Sequence, residues 1–428
     1  MTVISSISRS EAKAQETKTN VPAAPPVAAS KQRPHSIATE AEALQIAQRL
    51  AAQWAPSAHE RDRDRRLPWS EMEDYSASGL WAITVPKTHG GLGAGAWTLA
   101  QVIATIAAAD GSLGHIPQNH FYALEVLRVG GTDAQKRFFY DRVLAGERFG
   151  NALSEIGHRD HKRRTRLEPK DGQWVLNGQK FYCTGAIFAH WIPVQAMQWR
   201  GGADEPVSVL VFVPRAAAGV TVTDDWDGMG QRVTGSGSVA LENVLIDPAW
   251  IVPFQASFDS PTPIGPLAQI MHAAIDLGVG EGALAAMLPY VREHTRPWVD
   301  AGIDSASQDP LTLHAIGNID VRLCAARLLL RRSGAFVDVA QANPTDDTVA
   351  AASIAVAKAR TLTHSAGLLA ADKLLELGGT SSTFADRGFD VYWRNVRTHT
   401  LHDPVRWKFN AIGNYVLNGI NPPRYGAL

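Results

Sequence analysis

The hydrophobic period of this chain changes twice along its length, and that order admits few architectures. From about Thr39 apolar residues recur at three- and four-residue spacing (Ala43, Leu44, Ala47, Leu50, Ala51), the pattern of helices with one buried face. Between Phe149 and Ile251 that spacing vanishes. Short β-type runs replace it: Trp174-Val175-Leu176, Lys180-Phe181-Tyr182-Cys183, Val207–Val213, Gly219–Val222 and Val239–Ile246. Asp171-Gly172 and Asn177-Gly178, dipeptides whose positive φ suits hairpins, are expected to turn the chain between runs. After Pro261 helical spacing returns in four long stretches, about Pro266–Thr295, Pro310–Ala342, Thr345–Leu377 and Asp386–Leu417, which fits a four-helix bundle. Helices, then strands, then helices make an α+β chain and disfavour the alternation of a Rossmann or TIM fold. The expected segments are a disordered tail over 1–36, a helical domain over 37–148, an antiparallel, barrel-like β domain over 149–255 and the bundle over 256–428.

Charge and cysteine content narrow the function classes. Forty-one basic residues face 42 acidic ones, a net charge of −1, so no global field recruits nucleic acid or an anionic membrane. The longest low-charge stretch, Ile264 to Tyr290, is broken by His272, Asp276 and Glu281 and falls short of the ~20 apolar residues of a membrane span. Cys183 and Cys324 lie far apart without CxxC spacing, which fits a reducing cytoplasm and provides neither a disulfide framework nor a thiolate metal site. The N-terminal stretch lacks the apolar core and cleavage site of a secretory leader. The default is a soluble cytoplasmic enzyme.

Several motifs are read as structural. The glycine-rich break from His89 to Gly95 is not followed by Gly-Lys-Ser/Thr and is expected to be a tight interhelical turn. Gly278-Val279-Gly280-Glu281-Gly282 lacks dinucleotide spacing and is read as close helix packing. His158 and His161 sit among Arg159, Lys162, Arg163 and Arg164, cations that oppose a metal, so a solvated loop is expected there and no metal site is assigned.

Chemistry enters with three strings in the β region. Phe149-Gly150-Asn151-Ala152-Leu153-Ser154-Glu155 and Phe181-Tyr182-Cys183-Thr184-Gly185-Ala186 put small hydrogen-bonding groups beside glycine, where a planar heterocycle can approach the backbone. The third, Trp226-Asp227-Gly228-Met229-Gly230-Gln231-Arg232 with Gly235-Ser236-Gly237 and a closing strand, resembles the β-domain signature of the acyl-CoA dehydrogenase superfamily. Leu377-Gly378-Gly379-Thr380 resembles that superfamily's Leu-Gly-Gly turn, which contacts a neighbouring subunit's flavin. Where the dehydrogenases carry the glutamate that takes the substrate α-proton, this chain has His402.

Four further strings are similar to the dibenzothiophene monooxygenase branch, which includes the sulfur-acquisition oxidoreductases. They are Asp110-Gly111-Ser112-Leu113-Gly114-His115 with His120, Gly150-Asn151-Ala152, Arg296-Pro297-Trp298 with Ala301-Gly302-Ile303, and Trp393 to Pro404. The resemblance implies a two-component monooxygenase that receives FMNH2 from a separate NAD(P)H-dependent flavin reductase. It would form a flavin C4a-hydroperoxide and oxygenate a small organic, favoured organosulfur, substrate with O2. Asn151 and Thr184 would hydrogen-bond the isoalloxazine, Trp226 would pack on it, Arg292 would pair with the phosphate and Gly379 would contact the flavin. His120 and His402, with His399 in the same run, would be the catalytic imidazoles. The family's Gly-Ala-Arg-Gly reads Gly379-Thr380-Ser381-Ser382 here. A homotetramer is implied. The alternatives are an FAD-dependent acyl-CoA dehydrogenase or oxidase, which needs a carboxylate base, and a non-catalytic scaffold on the same fold.

Overall fold

The computed structural model describes residues 33–156, 162–199 and 205–425. Most of the expected tail and the His158/His161 loop lie outside the described residues. Six helices open the fold: α1 (Glu40–Arg63), α2 (Trp69–Ala77), α3 (Ala96–Ala109), α4 (Gly111–His115), α5 (Gln118–Gly130) and α6 (Asp133–Leu144). Their starts follow from capping chemistry: the Thr39 hydroxyl accepts from Glu42 N, and Thr132 with Gln135 forms a capping box. The His89–Gly95 break is a turn, with Gly90 and Gly93 at φ 85° and 60°.

Seven strands follow: β1 (Arg166–Lys170), β2 (Gln173–Lys180), β3 (Trp191–Gln198), β4 (Val207–Pro214), β5 (Val220–Thr223), β6 (Ser238–Ile246) and β7 (Ile251–Pro253). They make one sheet in the order β5-β6-β2-β1-β3-β4-β7, antiparallel except where β1 meets β3. Two expectations are corrected here. Asp171-Gly172 does turn β1 into β2, but Asn177-Gly178 lies inside β2 as a bulge, where the register against β6 shifts. Phe181 to Cys183 is no strand: Tyr182 has φ 56°, so the chain leaves the sheet there.

The C-terminal part holds a short α7 (Ala256–Asp259), then α8 (Ile264–Glu293), α9 (Pro310–Ala342), α10 (Asp346–Gly378), α11 (Asp390–His399) and α12 (Val405–Asn418). The fourth expected helix is thus two. Pro404 has no N–H to donate and its ring clashes with a preceding helical turn, so Leu401 to Asp403 form a break instead. His402 sits in that break. Helix α8 is long and apolar, and it is spent on the interior: Gly278 and Gly282 admit the backbones of Ala104 and Ala108 on α3, and Gly280 faces Gly367 on α10. A Cβ at any of the three would lie within 2.8 Å of its neighbour, which is why this glycine run is packing and not a nucleotide loop.

The β domain docks on the bundle through the turn at Gly230, whose absent Cβ would stand 2.0 Å from the Arg394 carbonyl oxygen on α11. Gly230→Ala is therefore expected to cost on the order of 1–3 kcal/mol by overpacking, read as a lowered urea midpoint.

Candidate active site

A cavity of about 500 Å³ lies between the β domain, α5 and the bundle. Asn151, Leu153 and Ser154 line it from the β side, Asn119 and Tyr122 from α5, and Gln269, His272, His402 and Asp403 from the bundle. Phe254 and Phe258 form the apolar part of its wall.

The β side is a polar ledge with an aromatic flank. The Asn151 Nδ2 and the Thr184 N both donate to the Tyr182 carbonyl oxygen, at 3.1 and 2.9 Å. Asn119 Nδ2 donates to the Gly150 carbonyl at 2.7 Å and so holds the ledge to α5. The Tyr182 ring is 53% exposed and stands edge-to-face with Trp226 at 6.1 Å. An exposed Tyr182 ring and a half-buried Trp226 beside the Asn151 amide fit a flat heterocycle, so the residues present suit an isoalloxazine.

Gln231, part of the Gly-Met-Gly-Gln-Arg signature but given no role there, ties this ledge together. Its carbonyl accepts from Trp226 Nε1 (2.9 Å) and Thr234 Oγ1 (2.9 Å), and Thr234, Ser236 and Thr184 continue as a hydroxyl chain at 2.6 and 2.7 Å. Its side chain reaches His115 Nδ1 (3.2 Å), and its N–H donates to Asn395 on α11 (2.7 Å). Its φ of 55° is a left-handed conformation for a non-glycine residue, and the surrounding hydrogen bonds hold it there.

On the bundle side imidazoles cluster. His399 Nε2 lies 3.0 Å from His272 Nδ1, and its Nδ1 lies 2.5 Å from the buried Asp276 carboxylate. The His115 ring stands edge-on to His399 at 4.9 Å, and His272 faces His402 at 4.1 Å. His402, with a side chain 46% exposed, has its Nδ1 3.3 Å from Asp403. Burial pushes His115, His272 and His399 below the ordinary imidazole range, for His399 despite Asp276. Burial drives Asp403 up, but the His402 hydrogen bond and nearby cations outweigh it and hold the carboxyl well below its usual range. The atoms of His115, His272 and His399 are close enough to ligate one metal, yet both His399 nitrogens, His272 Nδ1 and His115 Nδ1 already face hydrogen-bond partners.

The expected residues are therefore divided. Asn151, Thr184, Trp226, His399 and His402 are brought together. His120 is not: its Nε2 bonds the Trp81 carbonyl (2.9 Å), its Nδ1 accepts from Phe149 N (3.0 Å), and aromatic rings enclose it. It is a core residue, and His115, five positions earlier in the same string, occupies the site that His120 was expected to fill. Arg292 and Gly379 also stand apart. Arg292 is 20 positions beyond His272 on one helix, about 30 Å at 1.5 Å per residue. It shares that far end of the bundle with Gly379, where Thr295 Oγ1 donates to the Leu377 carbonyl (3.1 Å) and Tyr290 to Ser381 (2.9 Å).

Neutral buried imidazoles make stability depend on pH. Burial lowers His120 to about 3, so below its ordinary value of 6.5 the unfolded chain binds a proton that the folded chain does not. Stability is full above 6.5 and falls as pH drops toward 3. The urea midpoint is expected to fall steeply from pH 6.5 to pH 4, and less steeply for His120→Gln, which has nothing to protonate.

This geometry agrees with the comparisons to known proteins. Models of the acyl-CoA dehydrogenase N-terminal, middle and C-terminal domains match residues 39–147, 152–244 and 270–407. The chain belongs to the acyl-CoA dehydrogenase family, within its branch of flavin-dependent monooxygenases. It is 34% identical to a dibenzothiophene monooxygenase of Rhodococcus erythropolis, over 90% of this chain and 95% of that one. A probable FMNH2-dependent monooxygenase, SfnC, of Pseudomonas putida is 31% identical over 89% and 96% of the two chains. The FMN-bound structure of TdsC from Paenibacillus sp. A11-2 superposes with a TM-score of 0.86 at 31% identity, covering 90% of this chain and all of that one (100%).

Proposed function

We propose that this chain is the oxygenase of a two-component system that takes reduced FMN from a separate NAD(P)H-dependent flavin reductase and inserts one oxygen atom into a small organosulfur compound. The observation that carries this reading is the cavity wall. It sets Asn151 of the heterocycle-binding ledge against the His272 and His402 imidazoles and offers one carboxylate, Asp403, among its lining residues. With its carboxyl held so low, Asp403 is a poor base for an α-proton, which disfavours the acyl-CoA dehydrogenase alternative. The relatives' FMN and FMNH2 support FMN over FAD.

Asn151 and Thr184 would hold the polar edge of the isoalloxazine, with Tyr182 and Trp226 against its rings. Bound reduced FMN supplies the two electrons with which one atom of O2 enters the substrate and the other leaves as water. Asp403 accepts from His402 Nδ1–H, which turns His402 Nε2 toward the reacting centre as a hydrogen-bonding partner. Phe254, Phe258 and Leu153 exclude water. In the test, purified chain, reductase, NADH and FMN are given a panel of sulfides, sulfones and sulfinates under ¹⁸O2. Product one ¹⁸O heavier is expected; oxidation of an acyl-CoA without ¹⁸O uptake would overturn the reading.

One FMN cannot reach from Asn151 to Arg292 within a chain, so Arg292 and Gly379 fit the phosphate clamp only if they serve the site of a second copy. A homotetramer, located in the cytoplasm, is part of the proposal. Arg292→Ala and His402→Ala chains, each inactive alone, are expected to regain activity at about a quarter of the sites when refolded together, because a mixed pair contains one intact site.

A further inference from the structure

Arg360, Asp276, His399 and His272 form a buried chain that ends on the cavity wall, and the mechanism above leaves it without a role. Arg360 Nη1 donates to the Asp276 carboxylate and to the His272 carbonyl oxygen, the latter at 3.1 Å. The other Asp276 oxygen is the one 2.5 Å from His399 Nδ1. The proton positions follow from what each group can do. Arg360 only donates, so Asp276 faces a permanent cation; burial raises that carboxyl, but Arg360 and His399 outweigh burial and keep it ionised. A carboxylate only accepts, so His399 carries its proton on Nδ1 and presents a bare Nε2. The 3.0 Å contact from that Nε2 then requires the proton of His272 to be on its Nδ1.

We propose that Asp276, acting through His399, holds His272 as the Nδ1–H tautomer, so that the His272 Nε2 lone pair is a hydrogen-bond acceptor of the cavity. His272 is the catalytic residue and Asp276 and His399 are positioning residues. An O–H or N–H donor in the cavity then points at the His272 Nε2 lone pair, and the proton stays on the donor. The other groups that bear on the chain are His115, His364, His402 and Arg360, and Arg360 disfavours a second proton on both His272 and His399. The catalytic role rests on the proposed oxygenase activity; the tautomer does not.

The experiment uses flavin-free protein labelled with ¹⁵N in histidine, whose long-range ¹⁵N–¹H correlations distinguish Nδ1–H from Nε2–H rings, with His272→Gln to assign the signal. His272 and His399 are both expected as Nδ1–H. In Asp276→Asn the amide oxygen must turn to Arg360, its NH2 then donates to His399 Nδ1, and both rings flip to Nε2–H. Product per O2 is expected to drop about 10²-fold in this variant, with KM for FMNH2 unchanged. A wild-type His272 in the Nε2–H form overturns the proposal, and so does an Asp276→Asn spectrum identical to wild type; the wild-type spectrum decides even if the variant does not fold. Nδ1–H tautomers in a protein that oxygenates nothing would support the relay while defeating the oxygenase reading.

Discussion

Alanine at His402 is expected to lower the product formed per O2 consumed by about 10²- to 10³-fold, with the missing oxygen recovered as hydrogen peroxide. His402 lies in the break between α11 and α12, half exposed toward the cavity, with Asp403 fixing its Nδ1 proton. His272 faces it with the ring centroids 4.1 Å apart and is engaged by His399 through Nδ1. Removing the imidazole leaves the ledge of Asn151, Thr184 and Trp226 intact, so FMN affinity should be nearly unchanged. The contrast is His120→Ala. That change deletes two buried hydrogen bonds and a packed ring, at a cost of about 2–4 kcal/mol, but should leave product per O2 unaltered in the folded fraction. An oxygen electrode with and without catalase separates the two. Uncoupling by His120→Ala, or tight coupling in His402→Ala, would reverse the assignment.

Arg61→Met should be the most damaging single change to stability, about 3–5 kcal/mol, seen as a lowered urea midpoint. The fully buried guanidinium bonds Glu71 (2.7 Å), Asp110 (2.8 and 3.0 Å) and the Trp54 carbonyl (3.2 Å). Without it Asp110 has no ion-pair partner among the described residues, and Glu71 keeps only the largely exposed Arg66 at 3.5 Å. The loss extends to the site. Asp110 caps α4 by accepting from Ser112 and Leu113 N–H groups at 2.9 and 3.1 Å, and α4 ends in His115. Adding Glu71→Gln and Asp110→Asn to Arg61→Met should recover part of the stability, because neutral amides no longer demand a counter-charge. A triple variant less stable than the single one would show that the ion pairs are not the cause.

Much of the architecture was legible in period and composition. The helix–sheet–helix order, the close packing at Gly278 to Gly282 and the turn at Asp171-Gly172 all follow from local chemistry. The errors share a cause. Asn177-Gly178 has the right dipeptide for a turn, but pairing with β6 made it a bulge, and β3 was missed because its buried run ends in polar glutamines that pair inside the sheet. The two halves of the last helical stretch were read as one, although Pro404 was visible and marked the break.

At the site, Asn151, Thr184, Trp226, His399 and His402 were singled out by the resemblance of the strings that carry them to the monooxygenase branch, since those strings are local properties of the chain. Which histidine of Asp110–His120 turns inward to the core and which toward the flavin ledge was a matter of helix phase. The bend at Ile116-Pro117 between α4 and α5 sets that phase, and only the packing of Trp81 and Gln231 against the two rings resolves it. Asp276 and Arg360 carried no motif, and Gln231 stood in the Gly-Met-Gly-Gln-Arg signature without a role of its own. Their roles arise because α8, α10, α11 and the β domain converge on one point, and an ion pair or tautomer buried there depends on distances that no single segment of sequence contains.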